Sequence, residues 1–423
     1  MKNRHLKKWV ISILLIITVF TTVACTGSTH SQVSSPEKNE GDKNEIIFDE
    51  KEKEMFVENT ANFSIELFKN SIEAEENSLI SPMSVMTALL MTANGASNDT
   101  LVEMENSLTG DVGLKKMNKY IQAYMESIKD DEVMKLANSI WIRDLGTIII
   151  DEKFIETNKN FYESAVFREP FNKETVSKIN KWVKENTDDM IEKIVDDISN
   201  DEIMYLINAL AFNGEWENPY EKTDISHKKF TAINGEEKYV EMMNSDENLY
   251  LKGKNATGFI KPYKGEKYSF VAILPNQNIN INEYIESMTG EDFVKLITEA
   301  KQSTVYTVTP KFTYEYSKSM NKSLQNMGIT DAFNEELADF SNMTKDTKEN
   351  IFIGDVLHKT FISVDELGTK AGAVTAVMMD KTSMVVRDGY EVVLDRPFIY
   401  AIIENNTGLP VFIGTVVNVP ENN

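Results

Sequence analysis

The stretch ELGTKAGAVTAVMMDKTSMVVRDGYEVVLDRP, from Glu366 to Pro397, has no proline between its two ends. With a period of two residues, one face of this stretch carries only small, polar or apolar uncharged side chains, whereas Lys370 and Asp380 fall on the other face. The uncharged face consists of Thr369, Ala371, Ala373, Thr375, Val377 and Met379. This alternation predicts a strand with one face suited to burial.

Two interpretations of residues 366–397 follow. As a connection, the stretch is longer than the ~12–15 residues beyond which loops in compact domains are usually functional or disordered. The absence of proline leaves every backbone N–H available for a β-ladder, which favours a segment that is exposed in one state and inserted as a strand in another. The alternative is a surface hairpin followed by a strand, and periodicity alone does not decide between them.

The N-terminus carries basic residues followed by an apolar run at 9–20, which is too short to remain as a membrane-spanning helix. We therefore predict a secretory signal over residues 1–24. The run ends in TVAC at 22–25, which is similar to the bacterial lipoprotein signal in which the cysteine is lipidated. An ordinary signal peptide with a chance cysteine is the alternative.

Cys25 is the only cysteine among 423 residues, so the chain forms no internal disulfide although it is predicted to be exported. We interpret Cys25 as a lipid anchor and expect an extracellular or cell-surface location, with membrane contact only through that anchor. Residues 25–54 are polar and predict a disordered tether. Residues 55–423 form the folded domain.

The net charge is −23, from 67 acidic and 44 basic residues. Such an excess of negative charge argues against a nucleic-acid partner and against an anionic membrane surface, and it favours solubility. It identifies no partner of its own.

The folded domain offers little for catalysis. His227 and His358 are its only imidazoles, and the sequence lacks a nucleophile elbow, a zinc-binding HExxH motif and a catalytic cysteine. We therefore expect no enzyme activity, no metal and no cofactor. A hydrolase built on a carboxylate pair is the alternative, because an acidic chain offers many such pairs.

The periodicities indicate an α+β protein with large antiparallel sheets. Helical spacing occurs at 60–70, 81–94, 114–128, 151–161, 173–185 and 281–300. Strand-like runs occur at 137–142, 203–212, 270–274, 304–312, 360–365, 398–404 and 410–417.

Six stretches of the folded domain resemble signatures of the serpin family, in the same order and spacing. They are NSLISPMSVMTALLMTANGA at 77–96, YLINALAFNGEWENPY at 205–220, PKFTYEY at 310–316, GITDAF at 328–333, HKTFISVDELGT at 358–369 and DRPFIYAI at 395–402. The resemblance implies a fold of three β-sheets with about nine helices and an exposed reactive-centre loop near the C-terminus. It also implies protease inhibition by a suicide-substrate route, in which the loop is cleaved, inserts into the central sheet and traps the protease in a covalent one-to-one complex with a monomeric inhibitor.

The resemblance assigns roles to residues of the loop. Glu366, Gly368 and Thr369 match the hinge of inhibitory serpins, and the small side chains that must pass between strands are those of Ala371, Gly372 and Ala373. The rival function on the same scaffold is a non-inhibitory binding or carrier protein, and the hinge composition favours inhibition.

Counting from the hinge places the reactive bond between Thr382 and Ser383, with Lys381 as the alternative. Thr382 suggests an elastase- or subtilisin-like serine protease, and cleavage after Lys381 would select trypsin-like enzymes. Met384 and Arg387 offer further bonds in the same loop.

The resemblance also identifies positions that control opening of the central sheet. Ser81, Ser84, Asn208 and His358 match the shutter, a buried polar cluster beneath that sheet that has to stay hydrogen-bonded. The breach, where the loop first enters, is matched by Trp216 and Lys311. Residues 179–183 resemble the helix that lies across the sheet.

Overall fold

A computed structural model describes residues 49–129, 131–199, 202–345, 350–369 and 388–420. The helices of these ranges are α1 (Glu50–Ser71), α2 (Pro82–Ala93), α3 (Asn98–Leu108), α4 (Leu114–Ile128), α5 (Glu152–Tyr162), α6 (Lys173–Asn186), α7 (Ile281–Ser287), α8 (Gly290–Thr298) and α9 (Asn321–Asn326). The first strands are β1 (Ser78–Ile80), β2 (Met134–Arg143), β3 (Ile149–Ile150), β4 (Ala165–Glu169), β5 (Met204–Phe212), β6 (Gly214–Glu215), β7 (Ile225–Thr231), β8 (Glu237–Lys252) and β9 (Ala256–Pro262). The later strands are β10 (Tyr268–Pro275), β11 (Lys301–Pro310), β12 (Phe312–Ser319), β13 (Thr344–Lys345), β14 (Ile353–Val364), β15 (Gly368–Thr369), β16 (Tyr390–Val393), β17 (Phe398–Glu404) and β18 (Pro410–Val416).

The strands of the described ranges form three sheets, which confirms the predicted α+β fold. A seven-stranded sheet has the order β4-β2-β5-β14-β15-β6, with β12 on the other edge of β14. A nine-stranded sheet has the order β1-β18-β17-β10-β9-β8-β11-β16, with β7 beside β8. The pair β13-β3 makes the third sheet. The predicted number of about nine helices is also confirmed for these ranges.

The sequence of strand β5, MYLINALAF, is largely apolar and does not alternate between polar and apolar residues. All of its residues are buried, because both faces of the seven-stranded sheet are covered. Leu206 and Leu210 belong to the main core, whereas Ile207 and Ala209 face a second core that contains Ile179 and Val183 of α6 and Trp141 of β2. Alternate residues of β5 therefore face alternate cores, as the period of two in a strand requires. Helix α6 packs on the face of the sheet that carries the second core.

Two of the differences from the sequence prediction have a local cause. The polar tether assigned to 25–54 is wrong for residues 50–54, because α1 begins at Glu50 with a capping box formed by Asp49 and Glu52. The single helix predicted for 281–300 is two helices, since Met288 is extended and the side chain of Thr289 caps the start of α8. Local capping decides both boundaries.

Within the described ranges, no helix combines the length and the apolar content that crossing a bilayer requires.

Candidate functional site

The parallel strands β5 and β14 pair along only part of their length. Their ladder runs from Met204 and Ile353 to Ala209 and Lys359 and then ends. Beyond it, residues 210–212 pair only with β2 and residues 360–364 pair with β12 among the described residues. The two facing edges therefore part, and we call the space bounded by residues 210–215 and 360–364 the upper slot.

The chain reverses direction at the mouth of the upper slot, immediately after β14. The carboxylate of Asp365 accepts hydrogen bonds from the backbone N–H groups of Leu367 (2.7 Å) and Gly368 (3.1 Å), and the Asp365 N–H donates to the Gly368 carbonyl at 3.0 Å. A side chain that bonds its own following backbone in this way fixes a tight turn. The turn returns the chain alongside the strand that it has just left.

Residues Gly368 and Thr369 then form β15 at the mouth of the slot. Thr369 lies opposite Val364 of β14 on one side and opposite Gly214 of β6 on the other, and both pairings are antiparallel. A Cβ atom at position 368 would lie 2.1 Å from the carbonyl oxygen of Gly214, so only glycine fits there. Gly368 and Thr369 of the predicted hinge thus already occupy strand positions.

Thr369 is held by a buried side-chain hydrogen bond. Its exposed fraction is 2%, and its Oγ1 lies 2.6 Å from Oη of Tyr263. Burial raises the pKa of Tyr263, so the phenol stays protonated. The Tyr263 ring stacks on Trp216 with centroids 4.6 Å apart, which fixes the hydroxyl that meets the hinge. Thr369 belongs to the uncharged face that the sequence predicts, so at this residue the uncharged face is the buried one.

The segment from Trp216 to Tyr220, which we call the clamp turn, binds the three carbonyls that precede the hinge glycine. The indole N–H of Trp216 donates to the carbonyl of Asp365 at 2.9 Å. The backbone N–H of Trp216 donates to the carbonyl of Leu367, also at 2.9 Å. The backbone N–H of Tyr220 donates to the carbonyl of Glu366, also at 2.9 Å. We call residues 365–369 the loop foot. The predicted breach residue Trp216 therefore contacts the loop foot directly.

Lys311, the second predicted breach residue, lies between two carboxylates. Its Nζ is 2.8 Å from Glu366 and 3.2 Å from Glu241. Burial by itself would lower the pKa of Lys311, but the hydrogen bonds to both carboxylates outweigh it and raise that pKa. Burial would likewise raise the pKa of Glu366, and Lys311 reverses the direction and lowers it. Lys311 and Glu366 are thus both charged at neutral pH, and their contact ties the junction between β11 and β12 to the segment that follows β14.

The four predicted shutter residues lie together below the upper slot. Nε2 of His358 accepts the backbone N–H of Ser81 at 3.1 Å, so the ring proton is on Nδ1, which donates to Oδ1 of Asn208 at 2.7 Å. The Asn208 amide donates to Ser84 and to Asn138. Burial lowers the pKa of His358 to about 3, which keeps the imidazole neutral. Ser81 contributes through its backbone, since its buried Oγ has no partner among the described residues.

The remaining predicted site residues lie outside the described residues. They are Cys25, Ala371, Gly372, Ala373, Lys381, Thr382 and Ser383. The chain is described again from Asp388, and β16 then runs parallel to β11 in the nine-stranded sheet.

Sequence reasoning missed the residues that support the clamp turn. Lys261 and Glu247 form an ion pair of 2.7 Å in which both side chains are buried, and Tyr263 meets Thr369. One signal was available: Lys261 interrupts the otherwise uncharged run ATGFIKPY at 256–263, and a lysine on a buried strand requires a partner. The sequence does not show which of the many acids supplies it.

Comparison with known proteins agrees with this geometry. The model of the family described as "Serpin (serine protease inhibitor)" matches residues 58–419, and the chain belongs to the serpin family. An uncharacterized serpin-like protein from Methanosarcina acetivorans is 30% identical over 370 residues, which cover 84% of this chain and 85% of the relative.

Solved structures show the same fold. The thermophilic serpin tengpin in its native state superposes with a TM-score of 0.82 at 50% identity, covering 88% of this chain and 95% of that one. Human thyroxine-binding globulin superposes with a TM-score of 0.76 at 24% identity, covering 88% of this chain and all of the other. The second likeness shows the fold alone.

Proposed function

We propose that this serpin inhibits proteases as a suicide substrate, and that the cleaved loop enters the upper slot as a strand. One observation carries the proposal: Gly368 and Thr369 already lie antiparallel between β14 and β6 at the mouth of the slot. The composition of the predicted hinge, with small side chains at Ala371, Gly372 and Ala373, also favours inhibition over the carrier alternative.

The register predicts how far insertion proceeds before existing pairs break. Continuing the antiparallel pairing from Thr369 brings Ala373 between Thr360 and Leu210. The next residue meets Lys359 and Ala209, the last pair of the ladder between β5 and β14. Residues 370–373 therefore fit the upper slot without disrupting that ladder, and further insertion has to separate it.

The chemistry proposed for the loop is that of an interrupted hydrolysis. The serine Oγ of the protease attacks the carbonyl carbon of Thr382 and gives up its proton, the bond to the nitrogen of Ser383 breaks, and that nitrogen takes up the proton and leaves as an amine. The ester between the protease and Thr382 remains. Insertion of the upstream segment then carries the acylated protease along the sheet. Cleavage after Lys381 follows the same steps with the ester on Lys381.

The energies are of a suitable size. Roughly six to ten new backbone hydrogen bonds at ~1 kcal/mol each, with apolar burial at ~0.8 kcal/mol per CH₂, amount to something on the order of 10 kcal/mol. Distorting a protease active site competes with domain stabilities of about 5–15 kcal/mol. Insertion thus releases enough free energy to disrupt the trapped enzyme.

The target class and the location belong to the same proposal. Thr382 favours an elastase- or subtilisin-like protease, and Lys381 favours a trypsin-like one. Export by residues 1–24 with a lipid on Cys25 would place a monomeric inhibitor at the cell surface. Replacing Cys25 by serine is expected to move the protein from the membrane fraction to the soluble fraction, and an unchanged distribution would contradict the anchor.

The proposed inhibition is tested by mixing the protein with trypsin-, elastase- and subtilisin-like proteases and examining the products by denaturing electrophoresis and mass spectrometry. A complex that withstands SDS, together with a released peptide that begins at Ser383, is the expected result. A peptide beginning at Thr382 would move the reactive bond to Lys381. Cleavage by every protease without any complex would contradict inhibition and favour the carrier.

A further inference from the structure

Beneath the clamp turn lies the buried ion pair of Lys261 and Glu247, which none of the roles described above uses. We propose that this pair is a positioning device for loop insertion: it fixes the clamp turn, and the clamp turn fixes the loop foot in the geometry from which insertion starts. The inference rests on the proposed inhibitory function and adds to it a residue pair outside the loop and the shutter.

The pair is withdrawn from solvent. Lys261 on β9 is 2% exposed and Glu247 on β8 is 5% exposed, and Nζ lies 2.7 Å from Oε1. The same carboxylate oxygen accepts the hydroxyl of Ser245 at 2.6 Å, and that hydroxyl lies 2.9 Å from Oγ1 of Thr307 on β11. Glu247 is therefore held by its own strand and connected to the next one, and it presents a fixed negative charge to the lysine.

The other contacts of the ammonium group all fall on the clamp turn. Nζ of Lys261 donates to the Asn218 carbonyl at 3.1 Å. It also lies 4.5 Å from the ring centroid of Tyr220 and 5.5 Å from that of Trp216, within the range of cation–π attraction. The ammonium group thus contacts the first, third and last residues of the clamp turn and holds them against β8 and β9.

This arrangement links the ion pair to the hinge in two steps. Lys261 orients Trp216 and Tyr220, and the N–H groups of these two residues hold the carbonyls of residues 365–367. An apolar side chain of similar volume would fill the same space, but it would not direct the Asn218 carbonyl or the ring faces. A buried ion pair is a poor source of stability compared with apolar packing, so its directionality is the property that the site uses.

The direction of the effect follows from the geometry of the foot. The turn at Asp365 and the pairing of Thr369 are already those of an inserted strand, so the clamp turn supports the first step of insertion. A looser clamp turn is therefore expected to slow insertion after cleavage. Slower insertion gives the acyl-enzyme more time to hydrolyse, and more inhibitor is consumed as an ordinary substrate.

The test is the double variant Lys261→Met with Glu247→Gln, which removes both charges together and leaves no unpaired buried ion. Its thermal unfolding midpoint is expected to stay close to that of the wild type, because exchanging a buried pair for neutral groups is often neutral. Hydrogen–deuterium exchange of the Trp216 and Tyr220 amides is expected to accelerate, while exchange in residues 204–209 stays unchanged. The ratio of cleaved inhibitor to complex, which equals the stoichiometry of inhibition minus one, is expected to rise about fivefold, as losing one modest hydrogen bond in the insertion step implies.

The matched control is Lys229→Met with Glu237→Gln, which removes an exposed ion pair of 2.8 Å between β7 and β8. This control should change neither amide exchange in the clamp turn nor the stoichiometry. Wild-type exchange at Trp216 and Tyr220 together with a wild-type stoichiometry in the Lys261 and Glu247 double variant would overturn the proposal. A lower unfolding midpoint with unchanged exchange and stoichiometry would also overturn it, because the pair would then act on stability alone.

Two further measurements keep the proposal falsifiable. If the double variant does not fold, Tyr220→Leu leaves the ion pair intact and removes one ring from the ammonium; faster exchange at Trp216 supports the proposal and unchanged exchange contradicts it. If the wild type forms no complex with any protease, the proposed inhibitory function fails, whereas amide exchange still reports whether the ion pair fixes the loop foot.

Discussion

Nδ1 of His358 on β14 lies 2.7 Å from Oδ1 of Asn208 on β5, and the two residues stand directly opposite each other in the parallel ladder. This hydrogen bond joins the two strands just below the upper slot. In the proposed mechanism, insertion beyond Ala373 has to separate these two strands. The neutral imidazole of His358 therefore helps to hold β5 and β14 together, and its charge state affects the stability of the folded chain.

Acid is expected to weaken the sheet through His358. Its pKa is about 3 in the folded chain against an ordinary value of 6.5, so between these values the unfolded chain binds the additional proton. The contribution to stability is complete above about pH 6.5 and is lost as the pH falls, by up to ~1.4 kcal/mol per pH unit. Urea unfolding of wild type and His358→Gln, measured from roughly pH 4 to pH 7, should show a shallower pH dependence for the variant.

The control for this experiment is the exposed His227. His227→Gln should follow the wild-type pH dependence, because this exposed side chain lies on β7 and its replacement leaves the shutter cluster intact. Parallel curves for wild type and His358→Gln would show that His358 is not the titrating group.

Replacing Lys311 by methionine should destabilise the loop foot. The change leaves Glu366 and Glu241 close together without the cation that both contact, and an uncompensated, partly buried charge costs about 1–3 kcal/mol. Urea unfolding measures the loss. Lys264→Met removes an exposed contact with Glu215 at 3.5 Å and should cost about 0–1 kcal/mol. Equal effects of the two substitutions would contradict the special role of Lys311.

Substitutions at Thr369 should separate entry of the loop from recognition of the protease. Thr369→Arg places a long cation on the buried face of β15, so cleavage should continue while the SDS-stable complex disappears. Thr369→Ser keeps the hydroxyl that meets Tyr263 and should retain the complex. The ratio of complex to cleaved inhibitor on a gel gives the result, and a full yield of complex from Thr369→Arg would argue against insertion at this position.

Gly368→Ala tests the close approach of β15 to β6. The added Cβ would collide with the Gly214 carbonyl at 2.1 Å, and relief of such overlap by backbone movement costs about 1–3 kcal/mol. Gly253→Ala meets nothing nearer than 3.4 Å and should change the free energy of unfolding by less than about 0.5 kcal/mol. Denaturant midpoints of both variants decide the matter, and an unperturbed Gly368→Ala protein would mean that β15 does not form in solution.

The elements with strong local patterns were predictable from the sequence. The helix predicted at 114–128 and the strand predicted at 398–404 match α4 and β17 at both ends, because their periodicity is continuous. Helix α3 was missed, since it buries only Thr100, Met104 and Leu108 and therefore shows a weak apolar stripe. Strand β8 was missed because its many polar residues are stabilised by pairing with two other strands. Strand β7 precedes it across a turn, and strand β11 is distant in the sequence.

The same division applies to the site. Contiguous motifs carry the residues assigned to the hinge and the shutter. The structure places Ser84, Asn208 and His358 in one hydrogen-bonded cluster, whereas residues 371–373 of the predicted hinge lie outside the described residues. The clamp turn, Tyr263 and the pair of Lys261 and Glu247 depend on contacts between strands far apart in the chain. A single sequence records such a contact only as an isolated charge in an apolar run, without naming its partner.

Insertion of the loop into the upper slot is tested most simply by the stability of the protein after its loop has been cut. The loop is cleaved with a protease that is not trapped, and thermal unfolding is compared before and after cleavage with the fragments still associated. Ladder formation worth something on the order of 10 kcal/mol should raise the unfolding midpoint by roughly 10–20 °C. A midpoint that stays the same or falls after cleavage would show that the freed segment does not become a strand of the central sheet.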